Sequence, residues 1–199
     1  TVTISGEGVT INSMSLDSPT QINLNVTVDP NAEVSVRDLI VTNPDGQTSI
    51  VPFEVRNPQP EIFTITPVSR STGTESATIT VNGANFVEGS VVMFGTTEKP
   101  INFISPSQLT FDLNAADMAL GATIDVSVVN PNPGGGQSNT TPFNIVNPQP
   151  TMNTLNPVST LRFGPDTNVT VTGINFVPNS VVRIGEEDLE TTYVSPTEL

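Results

Sequence analysis

Twenty acidic side chains against six basic ones give the 199 residues a formal charge of −14, which repels phosphate backbones and excludes nucleic-acid binding by counterion release. With neither cysteine nor histidine, the chain has none of the usual zinc, haem and iron–sulfur sites, and no Cys- or Ser-His-Asp-based nucleophile. Hydrophobic content is 35% with no Trp and a single Tyr, Tyr193, so any core is built from Val, Ile, Leu and Phe.

The predicted elements repeat. NPQP stands at 57–60 and again at 147–150, and VNGANFVEGSVVMFG (81–95) returns as VTGINFVPNSVVRIG (171–185); both pairs are 90 residues apart. SPTQI at Ser18, SPSQL at Ser105 and SPTEL at Ser195 add part of an earlier copy. An offset of 87 carries Gly95 onto Gly8, Ile101 onto Met14, Phe103 onto Leu16 and Asn130-Pro131 onto Asn43-Pro44. Beyond that point it becomes 90, because NPNPGGGQ is three residues longer than NPDGQ, a variation that suits a surface turn. The expected organisation is therefore the back part of one unit over 1–56, a complete unit over 57–146 and the front part of another over 147–199. Two arrangements fit: a window on a longer tandem protein, or a polymer in which one chain's front part is completed by a neighbour's back part. The second supplies the equivalent of 88–109 twice, a redundancy that favours the first.

Within the complete unit, period-two alternation predicts seven strands: 61–66, 76–83, 90–95, 101–104, 108–113, 122–129 and 141–146. Ile62 and Phe63 compete for the core in the first, whereas Ala77, Ile79 and Val81 line one face of the second. Phe63, Phe86, Phe94, Phe103, Phe111 and Phe143 are the expected large core members, and residues 114–121 allow one helical turn. Turn residues separate the strands, among them Pro67, Gly73, Gly89, Gly95, Ser105-Pro106 and Gly121. The pattern predicts an all-β chain of tandem immunoglobulin-like β-sandwiches, about seven strands per complete domain. In VNGANF, Gly83 and Gly173 are expected to take positive φ, Asn85 and Asn175 the left-handed region, and Phe86 and Phe176 to plug the core, a turn rather than a ligand loop.

NPQPEIFTITPVS, ITVNGANF, SVVMFG, VVNPNPGG and PFNIV together resemble the IPT/TIG family of immunoglobulin-like domains, across essentially the whole chain. VTNPDGQTSIVPFEV (41–55) resembles its bacterial members most. The chain lacks the cysteines of receptor-type members and the basic loops of DNA-binding ones. The resemblance implies a bacterial or archaeal array, extracellular or at the cell surface, and says little about activity, since fold does not settle function.

The connectors Asn57, Pro58, Pro60 and Asn147, Pro148, Pro150 are expected to be semi-rigid, because proline fixes φ and biases its predecessor to extended backbone. Among the acids, Glu186, Glu187, Asp188 and Glu190 are the densest cluster, and Asp45 follows Asn43-Pro44 in a turn; such oxygen-rich loops are weak Ca²⁺ candidates. The competing reading is a solvated charge run that blocks edge pairing. No other cofactor is expected. The triplets at Asn25, Asn139 and Asn168 match the glycosylation sequon. Lys99, the only lysine, limits any Lys–Asn crosslink to one. No stretch is long and apolar enough to insert into a membrane. The expected function is a non-enzymatic stalk, filament or adhesin segment whose partners are neighbouring Ig-like domains or other subunits, with a surface glycan or protein receptor possible. A carbohydrate-binding accessory module, with Tyr193 as its one aromatic platform, and a filament assembled by strand or domain exchange between chains are the alternatives.

Overall fold

A computed structural model describes residues 1–199. The N-terminal stretch holds β1 (Val2–Ile4), β2 (Val9–Ser18), β3 (Gln21–Val28), β4 (Val36–Thr42) and β5 (Thr48–Glu54). The central unit follows with β6 (Glu61–Thr66), β7 (Ser69–Ser71), β8 (Ser76–Ala84), β9 (Val91–Phe94), β10 (Thr97–Lys99), β11 (Ile101–Ser105), β12 (Gln108–Asn114), a 3-10 turn at Ala115–Met118, β13 (Ala122–Asn130), β14 (Gly136–Gln137) and β15 (Thr141–Val146). The C-terminal stretch has β16 (Thr151–Asn156), β17 (Thr170–Ile174), β18 (Arg183–Ile184) and β19 (Glu187–Asp188).

Only the central unit closes. Its sheets run β11-β12-β8-β6 and β10-β9-β13-β15-β7, with β14 on β13. Alternation sends Ala77, Ile79 and Val81 of β8 inward with Leu109, Phe111 and Leu113 of β12, against Val126 and Val128 of β13 and Phe143 and Ile145 of β15. Burying each of these large side chains contributes about 1.5–3 kcal/mol. Phe94 packs edge-on against Phe143 at 5.8 Å between ring centroids and tilted against Phe111 at 6.4 Å. Beyond the seven expected strands stand β7, β10 and β14, two or three residues each and too short for a period-two signal.

One expected core member is outside. A bulge between Ile62 and Thr64 in the β6–β8 register gives the core to Ile62 and leaves Phe63 61% exposed. Phe103 packs against the core only in part.

The flanking stretches carry the same pairings without the core. The β16–β17 register repeats that of β6–β8 shifted by 90, bulge included, and β18–β19 repeats β9–β10. In the N-terminal stretch, β4–β5 repeats β13–β15, and Met14↔Leu24 and Leu16↔Ile22 repeat Ile101↔Phe111 and Phe103↔Leu109. The Gly8–Gly95 equivalence is corrected: Ser5 N donates to Asp38 O (2.9 Å) where Gly95 N donates to Asp125 O (2.8 Å). Residues 6–8 are thus an insertion in the loop after β1, because the inward pairs Val2↔Val41 and Ile4↔Leu39 set the register, not the glycine. Of 27 buried residues, only Arg37, Val55, Val171, Gly173 and Phe176 lie outside 57–146.

Candidate functional site: the proline connector and its clamp

The first connector is a built joint. Asn57 N donates to Pro133 O (2.9 Å), Gly135 N returns to Asn57 O (2.8 Å), and Asn57 Nδ2 reaches Pro131 O (2.8 Å). Further along, Gln59 Nε2 donates to Gln137 O (2.8 Å). Residues 57–60 therefore lie as an added edge along the 130–137 loop of the unit that follows them. The glycines of that loop are required sterically as well as by conformation: Gly134 and Gly135 have φ of 74° and 62°, and a Cβ on Gly134 would strike Asn57 O and the Arg56 side chain.

Asn130 is the pivot. Buried to 2% exposure, it accepts from Ser90 Oγ (2.7 Å) and donates to Pro58 O (2.8 Å) and Asn85 O (2.7 Å), so every bond ties the connector or its neighbouring turn to the sandwich. Asn85 itself, at φ 63°, donates to Gln59 O (2.9 Å). Phe86 closes the turn from inside the core, its N–H on Pro106 O (2.9 Å).

Gly83 and Gly173 do not take positive φ, contrary to expectation. They are glycine because a Cβ would run into the carbonyl oxygen of Glu61 or Thr151 and the ring of Phe86 or Phe176. The second connector, at Asn147, Pro148 and Pro150, keeps its counterpart of the turn contact, Asn175 Nδ2 to Gln149 O (2.9 Å), with Asn175 at φ 65° and Phe176 4% exposed.

The acidic candidates are not brought together. Asp188 forms an exposed ion pair with Arg183 (2.6 Å), Asp45 Oδ1 caps the N–H of Gln47 (3.2 Å), and no three acidic groups anywhere converge into a cluster able to hold a metal. Among the sequon residues, Asn139 uses both side-chain atoms on the backbone of Ile62 (2.8 and 2.9 Å), filling the hydrogen bonds that the β6 bulge leaves open.

Three features were missed in the sequence. Asn130 and Ser90 recur as Asn43 and Ser180, so the repeat itself carried that signal. The Asn114-x-x-Asp117 capping box was equally visible: Asn114 Oδ1 accepts from Ala116 N and Asp117 N, and Asp117 Oδ2 accepts from Asn114 N (2.8 Å). The third, a largely buried ion pair between Lys99 Nζ and Asp117 Oδ1 (2.6 Å), joins β10 to the 3-10 turn and has no counterpart in the other copies. Burial alone pushes the Asp117 carboxyl up, but the Lys99 hydrogen bond, the Asn114 N–H and the Lys99 charge outweigh it and hold the group below the usual carboxylate value.

No helix of the chain is long and apolar enough to cross a membrane. Comparison with curated proteins finds no match. The family model of the IPT/TIG domain matches residues 60–145, the same stretch that closes into the two-sheet core. The sandwich at the centre of this chain belongs to the IPT/TIG domain family, whose members are non-catalytic immunoglobulin-like modules of protein interaction.

Proposed function

We propose that the chain is a load-bearing, non-enzymatic segment of an extracellular stalk, filament or adhesin built from immunoglobulin-like units. The observation that carries this reading is the pairing of β7, the second strand of the central unit, with β15, its last. β7 runs parallel to β15, with Ser69, Arg70 and Ser71 opposite Asn144, Ile145 and Val146. Bonds from Asn144 N to Val68 O and from Thr72 N to Val146 O (both 3.0 Å) bracket the pair. A pull on the two chain ends drags parallel neighbours in opposite directions along their length, so the bonds between them are sheared together rather than opened one after another. The clamped connector adds a fixed entry direction to that resistance. Forced unfolding depends on the barrier to leaving the native state, which a shear-loaded pair raises.

Single-molecule stretching between residues 1 and 199 tests the reading. At ~3.5 Å per extended residue, one cooperative event of roughly 250–300 Å is expected from the central unit. Thr72→Pro, which deletes one bracketing donor, lowers the force of that event. A smooth, low-force extension with no such event contradicts the reading.

A further inference from the structure

The two edge strands of the β11-β12-β8-β6 sheet are bulged at the same level. On β6 the register slips between Ile62 and Thr64, and on β11 between Phe103 and Ser105, so each edge turns one extra side chain onto the outer face of the sheet. Those side chains are Phe63 and Ile104, 61% and 52% exposed. Between them Thr64, Asn82 and Gln108 stand opposite one another on β6, β8 and β12 as a hydrogen-bonded strip: Gln108 Nε2 donates to Asn82 Oδ1 (2.8 Å) and Asn82 Nδ2 to Thr64 Oγ1 (3.4 Å). Two residues along, Thr66, Thr80, Thr110 and Asn102 form a second polar row across all four strands.

The fold does not require either apolar side chain. The first copy has the β11 bulge on β2, between Leu16 and Ser18, with Asp17 in the place of Ile104; the C-terminal copy has the β6 bulge on β16, with Asn153 in the place of Phe63. Asn153 is exposed although the closed unit precedes it, so a preceding unit leaves this place open. The central unit alone has apolar groups at both ends of the strip, and Asn139, bonded to both backbone groups of Ile62, holds the bulge that turns Phe63 outward.

We infer that this strip binds a neutral, hydroxyl-rich glycan chain laid across the strands. Neighbouring strands lie about 4.7–4.9 Å apart, close to the length of one pyranose, so the span from Phe63 to Ile104 takes about three to four sugars. Rows two residues apart are separated by about 6.6–6.8 Å, which lets them flank one sugar chain and reach hydroxyls on both its sides. Amides and threonine hydroxyls donate and accept, as sugar hydroxyls do, and Phe63 and Ile104 offer apolar contact to the C–H faces of the rings at either end. The face has no Lys or Arg to draw an acidic glycan, and its carboxylates, Glu61 and Asp112, stand at its borders. A polar centre with apolar ends is also the reverse of a protein–protein hot spot, which is apolar at the centre and polar at the rim. Tyr193, the aromatic platform expected from the sequence, lies outside the strip. The inference goes beyond the load-bearing reading and does not depend on it, because β7 and β15 belong to the other sheet.

Titration of the whole chain with cellohexaose, maltohexaose, mannohexaose and chitohexaose, followed by NMR, tests it. At least one of these sugars is expected to shift the side-chain amide signals of Asn82 and Gln108 saturably, and acidic oligogalacturonate to shift neither. Phe63→Asn and Ile104→Asp, the residues that the other copies carry at these places, should each weaken binding several-fold while the urea unfolding midpoint stays close to that of the parent. The inference is overturned if none of the four neutral sugars gives a saturable shift, which leaves the strip to a protein partner, if oligogalacturonate binds equally well, or if the Phe63→Asn chain binds as tightly as the parent.

Discussion

At Gly83 the fold has no room for a methyl group. The strand there passes against the carbonyl of Glu61 with the Phe86 ring behind it, so Gly83→Ala must shift backbone rather than a flexible side chain. The expected loss is about 1–3 kcal/mol in urea unfolding, while Gly173→Ala, in a flank without a core, leaves that transition unchanged. Its place in the sequence was plain from the repeat, but its reason was not, since a close approach across a sheet leaves no mark on local turn preference. Asn130→Ala strands the carbonyls of Pro58 and Asn85, while the Ser90 hydroxyl keeps its bonds to Val87, and a loss of roughly 2–3 kcal/mol is expected by the same measurement. The Lys99–Asp117 pair gives the unit an acid-sensitive contact. With the folded carboxyl below its ordinary value, the unfolded chain binds the proton more tightly. The pair's stabilisation is therefore complete above about pH 4 and is lost as pH falls through the depressed value. Asp117→Asn should flatten the acid limb of a stability–pH profile, and an unchanged limb would remove the pair from the account.

At the scale of the element, the connector is the feature on which sequence and structure most usefully differ. Two prolines in four residues predicted stiffness, yet proline supplies only part of it; the rest comes from a loop some seventy residues downstream that Asn57 and Gln59 pair with. No local signal could announce that pairing, because the partners meet only after β13 returns along the sheet. Gly134→Val pushes the connector off this loop. Spin labels at Thr48 and Thr97 should then show a broadened distance distribution, where the parent chain gives a narrow one. The strands themselves were legible wherever alternation ran for four residues or more, as in β8 and β13. It failed at the two- and three-residue pieces and at the β6 bulge, where one extra residue reverses which of Ile62 and Phe63 faces inward.

For the molecule as a whole, a core exists where both halves of the repeat meet in one sandwich, and the flanks keep strand pairing without it. The family and the fold class were readable from repeated motifs, whereas the openness of the flanks was not, because an alternating pattern predicts a buried face without saying whether anything covers it. The measurement that tests the central claim most directly is amide hydrogen exchange on the dilute, single chain. Slow exchange confined to β8, β12, β13 and β15, with β4, β5, β16 and β17 exchanging orders of magnitude faster, is the predicted result. Equal protection in the flanks and the centre would contradict a single closed core.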